Sequence, residues 1–105
     1  MLVKNLININ NGRAVANQFV IEDTSNACTY FQSYSSEIVK IDTLRKEITI
    51  YPDYDYSNTT IKHRNNFFKL QGFTNLATTK QLEKAIKNGF IESYFDGVYT
   101  IKKAA

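Results

Sequence analysis

The sequence predicts an α+β domain: an antiparallel β-meander of four to five strands, two helices packed on one face, and a C-terminal β-hairpin. Three observations carry that expectation. Residues 1–51 hold short runs of β-branched and aromatic side chains separated by turn-forming segments. Residues 52–89 hold two stretches that open on hydroxyl side chains able to cap a helix. Residues 90–103 alternate around an Asp-Gly pair, a strong short-range hairpin signal. A chain of 105 residues has room for one hydrophobic core, so 1–105 reads as a single domain.

The strands come first. "NQFVIED" (17–23), "CTYFQSY" (28–34), "EIVKID" (37–42) and "EITIY" (47–51) are separated by turn-formers such as "TSNA" and "TLRK". In the last of them Ile48 and Ile50 alternate with Glu47, Thr49 and Tyr51, the pattern of a strand with one wet face. Connections this short cannot make parallel crossovers, so neighbours should be antiparallel. A further strand around residues 3–9 should join through "NNGR", where Asn11-Gly12 suits a type I′ turn.

The helices follow. Pro52 cannot donate to a ladder and closes the last strand of the meander. Ser57, Thr59 and Thr60 are each able to cap a helix that runs through "IKHRNNFFKL" and stops near Gly72, with Ile61 and Phe68 on its core face. Thr78 with Gln81 three residues on is a capping box. Leu82, Ala85 and Ile86 then form one apolar face, and Gly89 is the expected C-terminal glycine. In the closing "IESYFDGVYTIKK", Tyr94 and Tyr99 should face each other across Asp96-Gly97.

Composition narrows the function classes. The chain is 43% hydrophobic and 22% charged, ordinary for a folded domain, and rich in Tyr and Phe. Cys28 is alone, which rules out an internal disulfide; within a strand it reads as a small buried hydrophobe. The opening "MLVKNLINI" is interrupted by Asn and Lys, and no long apolar run follows, so neither a signal peptide nor a membrane span is expected. The cytoplasm is the expected location.

Charge is unevenly placed. Residues 1–61 carry five bases against seven acids, a net of −2, whereas residues 62–105 carry eight bases against three acids, a net of +5. Such asymmetry directs attention to an anionic partner for the second half.

Catalytic chemistry has little to build on. His63 would need a Ser or Cys beside it and a carboxylate to orient it. Ser57 lies six positions earlier, about 9 Å along a helix axis, and Asp53 and Asp55 precede the helix. Those acids are better explained by turn formation and the helix dipole, and with His63 they offer too few ligands for a metal. No glycine-rich phosphate loop exists. No enzyme activity and no cofactor are expected; an enzyme working through His63 is the third choice.

Binding is the expected mode. Lys62 and Lys69, with Asn66, form a basic stripe on the first helix, and Lys80, Lys84 and Lys87 form another on the second. Tyr54 and Tyr56, in a loop before the first helix, could anchor a partner. Nucleic acid is the alternative partner to protein, and open sheet edges could pair into a homodimer.

Three segments, "ANQFVI" (16–21), "YFQSYSSEIVKID" (30–42) and "YDYSNTTIKHRNNF" (54–67), together with the looser "TTKQLEKAIKNG" (78–89), support one more reading. They resemble a family of small uncharacterised proteins encoded by phages, plasmids and integrated elements of Gram-positive bacteria. Members often carry Trp where this chain has Tyr54, and the closing hairpin is less typical of them. The resemblance implies a small protein in the cytoplasm of a bacterial host. It would work by occupying a host protein or nucleoprotein, including a defence complex, as anti-CRISPR proteins do.

Overall fold

The alternating runs of the first half become five consecutive antiparallel strands in a computed structural model that describes Met1 to Ala105. These are β1 (Leu2–Ile7), β2 (Ala14–Asp23), β3 (Cys28–Ser33), β4 (Ser36–Asp42) and β5 (Glu47–Ile50). Then come α1 (Asn58–Leu70), α2 (Thr79–Asn88), β6 (Phe90–Ser93) and β7 (Gly97–Lys103). The molecule is α+β, with the meander and the C-terminal strand pair expected from sequence. The two are not separate, however: all seven strands form one sheet in the order β1-β2-β3-β4-β5-β7-β6.

The junction between them departs from expectation. β5 pairs with β7 in parallel, with Ile48 opposite Ile101 and Glu47 opposite Thr100. A parallel neighbour requires a long crossover, and residues 51–96 provide one with both helices inside it. Within the meander and within the β6–β7 pair the strands are antiparallel.

Register places the core. Val20, Phe31, Val39 and Ile50 stand side by side across β2 to β5, and Ile41, Ile48 and Ile101 form the next row; all are buried. The opposite face carries the row Ile21, Tyr30, Lys40, Thr49 and Lys102, none of them buried. Alternation therefore sorts each strand into a dry and a wet side.

An aromatic chain ties α1 and the segment after it to the dry side. Phe67 stacks on Phe31 at 5.4 Å between ring centroids, and Phe68, Phe73 and Tyr99 continue the series at 5.8, 6.4 and 5.2 Å. Each buried Phe contributes about 1.5–3 kcal/mol through area removed from water. Each ring pair adds about 0.5–1.5 kcal/mol through its geometry.

The caps resolve the helix boundaries. Of the three hydroxyls considered for α1, Ser57 is the cap: its Oγ accepts from Thr60 N at 3.1 Å. For α2, Thr78 Oγ1 accepts from Gln81 N at 3.1 Å, while Gln81 Oε1 accepts from Ala77 N at 3.0 Å. The expected capping box is present, with its return bond one residue earlier than usual. Gly89 ends α2 at φ 85°, a left-handed conformation that costs glycine nothing.

Two turns differ from the sequence reading. Ser93 pairs with Gly97, so Tyr94, Phe95 and Asp96 form the loop and Asp96-Gly97 is not a two-residue turn. Ser93 Oγ accepts from Phe95 N and Asp96 N, at 3.2 and 3.3 Å, and stabilises this wider loop. Tyr99 consequently lies opposite Ile91, buried, and donates to Asp96 Oδ2 at 2.8 Å, while Tyr94 stays exposed. The β1–β2 connection is likewise longer than an Asn-Gly turn, closed by Asn8 N to Arg13 O at 2.9 Å and Gly12 N to Asn8 O at 2.8 Å. The outer edges of the sheet are β1 and β6.

Candidate functional site

The face of α1 turned to the sheet buries Thr60, Arg64, Phe67 and Phe68. Ile61, expected on that face, is only partly buried and lies along a surface cleft instead. The two α1 lysines of the expected stripe, Lys62 and Lys69, are exposed in that same cleft. Asn66 is not free to contact a partner. Its Oδ1 accepts from Ile9 N at 2.9 Å and its Nδ2 donates to Ile7 O at 2.8 Å, locking the end of β1 against α1.

That lock creates the cleft. It encloses about 410 Å³ between the β1–β2 loop and α1, and its walls include Asn8, Asn10, Asn58, Lys62, His63 and Lys69. No Asp, Glu, Ser or Cys side chain lines it. Partial burial, reinforced by the Lys62 charge, pulls His63 below its ordinary pKa, so the imidazole is biased towards its neutral form. The cleft can therefore offer two ammonium donors, several amides and a neutral imidazole to a polar or anionic surface. It brings no hydroxyl, thiol or carboxylate side chain beside His63.

The second stripe lies elsewhere. Lys80, Lys84 and Lys87 are exposed on α2, and none forms an ion pair. Lys84 borders a different depression, beside Phe90 and Ile91. Glu83 accepts a hydrogen bond from the Tyr54 hydroxyl at 3.3 Å and forms no ion pair with Lys87. The structure thus brings Lys62 and Lys69 together and leaves the α2 lysines outside their cleft.

The two tyrosines before α1 separate. Tyr56 is 80% exposed and available to a partner. Tyr54 is only 5% exposed, which corrects its place among the candidate binding residues. It sits in a short 3₁₀ turn, Pro52–Asp55, with the Arg64 guanidinium 5.6 Å and the Lys103 ammonium 4.8 Å from its ring centre. Its work is to join the turn, both helices and β7.

Arg64 is the residue that sequence reasoning missed. It is fully buried, donates to Tyr54 O and Thr79 Oγ1 at 2.7 Å each and to Asn65 Oδ1 at 3.0 Å, and forms no ion pair. Burial lowers its pKa, against the opposing pull of Tyr54, Asp55 and Glu83. An Arg inside a run of polar helix residues looks solvated; only the three-dimensional meeting of residues 54, 64 and 79 shows otherwise. Cys28 is buried as expected, and burial, followed by the Asp42 charge, raises its thiol pKa.

No group of three or more His, Cys, Asp or Glu side chains converges, and no helix is long and apolar enough to cross a membrane. The model of a family of unknown function (DUF8033) matches residues 3–88, a span that runs from the first strand through α2. Neither a curated protein nor a solved structure matches the chain.

Proposed function

The chain belongs to this family of unknown function, and we propose from its own surface that it is a non-catalytic binding protein. Its partner is a protein or nucleoprotein of a bacterial host, engaged in the cytoplasm through the face around α1. The observation that carries this reading is the cleft in which Lys62 and Lys69 stand among asparagine amides. Interfaces use such polar groups for orientation and specificity. The likeness to small proteins of mobile elements supports a host target, with a defence complex such as a CRISPR nuclease as the class to try first.

Affinity capture from host lysate tests it, run with the wild type and the K62E/K69E double variant. A partner recovered by the wild type and lost by the variant is the expected result. No partner above background with either protein counts against the reading.

The same lysines and amides favour one second reading, direct binding to nucleic acid. Neutralising several phosphates would make affinity fall steeply with salt. Gel shifts across a salt series should then show retardation that disappears as salt rises; none at the lowest salt removes this reading.

A further inference from the structure

A second cleft, of about 340 Å³, opens where the β3–β4 turn meets the junction before α1. Its lining includes Ser33, Tyr34, Ser36, Asp53, Tyr56 and Thr60, and its only charged side chain is Asp53. Both tyrosines are well exposed, Tyr34 at 60% and Tyr56 at 80%. Tyr34 also adopts φ 53°, a left-handed conformation unfavourable for a bulky residue. It is held there by donating its N–H to Asn17 O and by accepting at its own carbonyl from Gln32 Nε2, each at 2.7 Å.

The floor and the charge are both unsatisfied. Ser33 is 4% exposed and its Oγ has no hydrogen-bond partner; its cross-strand neighbour Gln18, still more deeply buried, leaves Oε1 without one. Buried polar atoms nearly always have partners, so an orphan hydroxyl in the lining of the cleft calls for one. Asp53 forms no ion pair with Lys, Arg or His.

We propose that this cleft receives an arginine side chain of a partner protein. Two tyrosine rings attract a cation, and one carboxylate supplies its counter-charge. A guanidinium suits the site better than an ammonium, because its plane lies against aromatic rings while its fork of N–H donors reaches a carboxylate and hydroxyls together. The volume is at the small end for ligand sites, fitting one side chain rather than a cofactor. The two clefts flank the first turn of α1, Asn58 and Ile61 lining one and Thr60 the other. A single partner could therefore engage both, meeting lysines at one and offering arginine at the other.

The inference rests on the binding reading only for the arginine's belonging to a protein; the preference of the cleft is tested alone. The 105-residue chain is titrated with N-acetylarginine methylamide, its uncharged citrulline counterpart and N-acetyllysine methylamide, followed by amide and side-chain NMR shifts. Saturable shifts at Tyr34, Tyr56 and Asp53 are expected with the arginine probe, with binding about tenfold weaker for citrulline and weaker for lysine. Asp53→Asn should reduce arginine binding by about as much while the melting temperature is unchanged. Citrulline or lysine binding as well as arginine, shifts confined to the Lys62–Lys69 cleft, or no shift at tens of millimolar probe would each overturn the proposal. Failure to capture a partner from lysate bears on the binding reading, whereas failure of this titration bears on the cleft.

Discussion

On one side of α1 Arg64 is withdrawn from water entirely; on the other, Lys62 and Lys69 stand in it. All three are cations within eight positions of one helix, and the surroundings give them opposite duties. Arg64 donates to acceptors on two other elements, although its own Nε is left without a partner: the carbonyl of Tyr54 holds the turn before α1, and the hydroxyl of Thr79 holds the start of α2. Removing a buried donor exposes the full desolvation cost of what it served. Lys62 and Lys69 bond to nothing in the chain, so the fold would hardly register their loss, and they remain free for a partner. A basic residue on a helix thus says little about function until its exposure and its acceptors are known.

The largest test of that contrast is Arg64→Ala. It leaves Tyr54 O and Thr79 Oγ1 without their donor and opens a cavity, so a loss of about 3 kcal/mol in unfolding free energy is expected. Urea denaturation measures it. Arg64→Met refills the volume but still leaves Tyr54 O and Thr79 Oγ1 without a donor, so it removes the cavity part of the cost and should lose about half as much. Were Arg64→Ala to change stability by under about 0.5 kcal/mol, the side chain would be wet and the contrast would fail.

That contrast also marks where the sequence was legible. Local signals were readable because the groups that satisfy them lie within four residues: Ser57 capping Thr60, Thr78 capping Gln81, Gly89 ending α2. Period-two alternation in "EITIY" assigned Ile48 and Ile50 to the core without knowledge of their neighbours. What could not be read depends on distant partners. The parallel pairing of β5 with β7, the burial of Tyr54 but not Tyr56, and the orphan Ser33 beneath Tyr34 arise from contacts between separate elements. Even Asp96-Gly97 misled, because Ser93 offers its hydroxyl to two amides and so favours a wider loop. The candidate lysines and Asn66 were visible; that Asn66 makes a cleft of two of them was not, since it reaches back to Ile7 and Ile9.

Asn66 supplies the intermediate test. Its two hydrogen bonds sit at the boundary between the inner and outer sides of α1, and Asn66→Ala should cost about 1–2 kcal/mol. More informative is where the loss appears. The Ile9 amide should exchange faster with solvent and the β1–β2 loop should loosen, while amides of β3 and β4 keep their protection. K62E/K69E, by comparison, should leave stability within about 0.5 kcal/mol of wild type. If the double variant destabilised the protein more than Asn66→Ala, the outer lysines would be part of the fold after all.

The smallest effect concerns His63, which lies between the two regimes, half-buried and beside Lys62. Its pKa is lowered from 6.5, first by burial and then by the lysine charge. The unfolded chain therefore holds the proton more tightly than the folded one, and stability rises with pH wherever their occupancies differ. The contribution of His63 is complete above the unfolded value and is lost as pH falls through it towards the lower folded value. His63→Gln should flatten that part of the stability–pH curve, leaving stability at neutral pH almost unchanged. Lys62→Gln should move the imidazole titration, followed by its ring proton shifts, upward but not back to the unfolded value, because burial is the larger cause. An imidazole that titrates at or above its ordinary value in the wild type would mean the cleft is fully hydrated. The asparagine and lysine donors would then lose the partial desolvation that lets a polar cleft discriminate between partners.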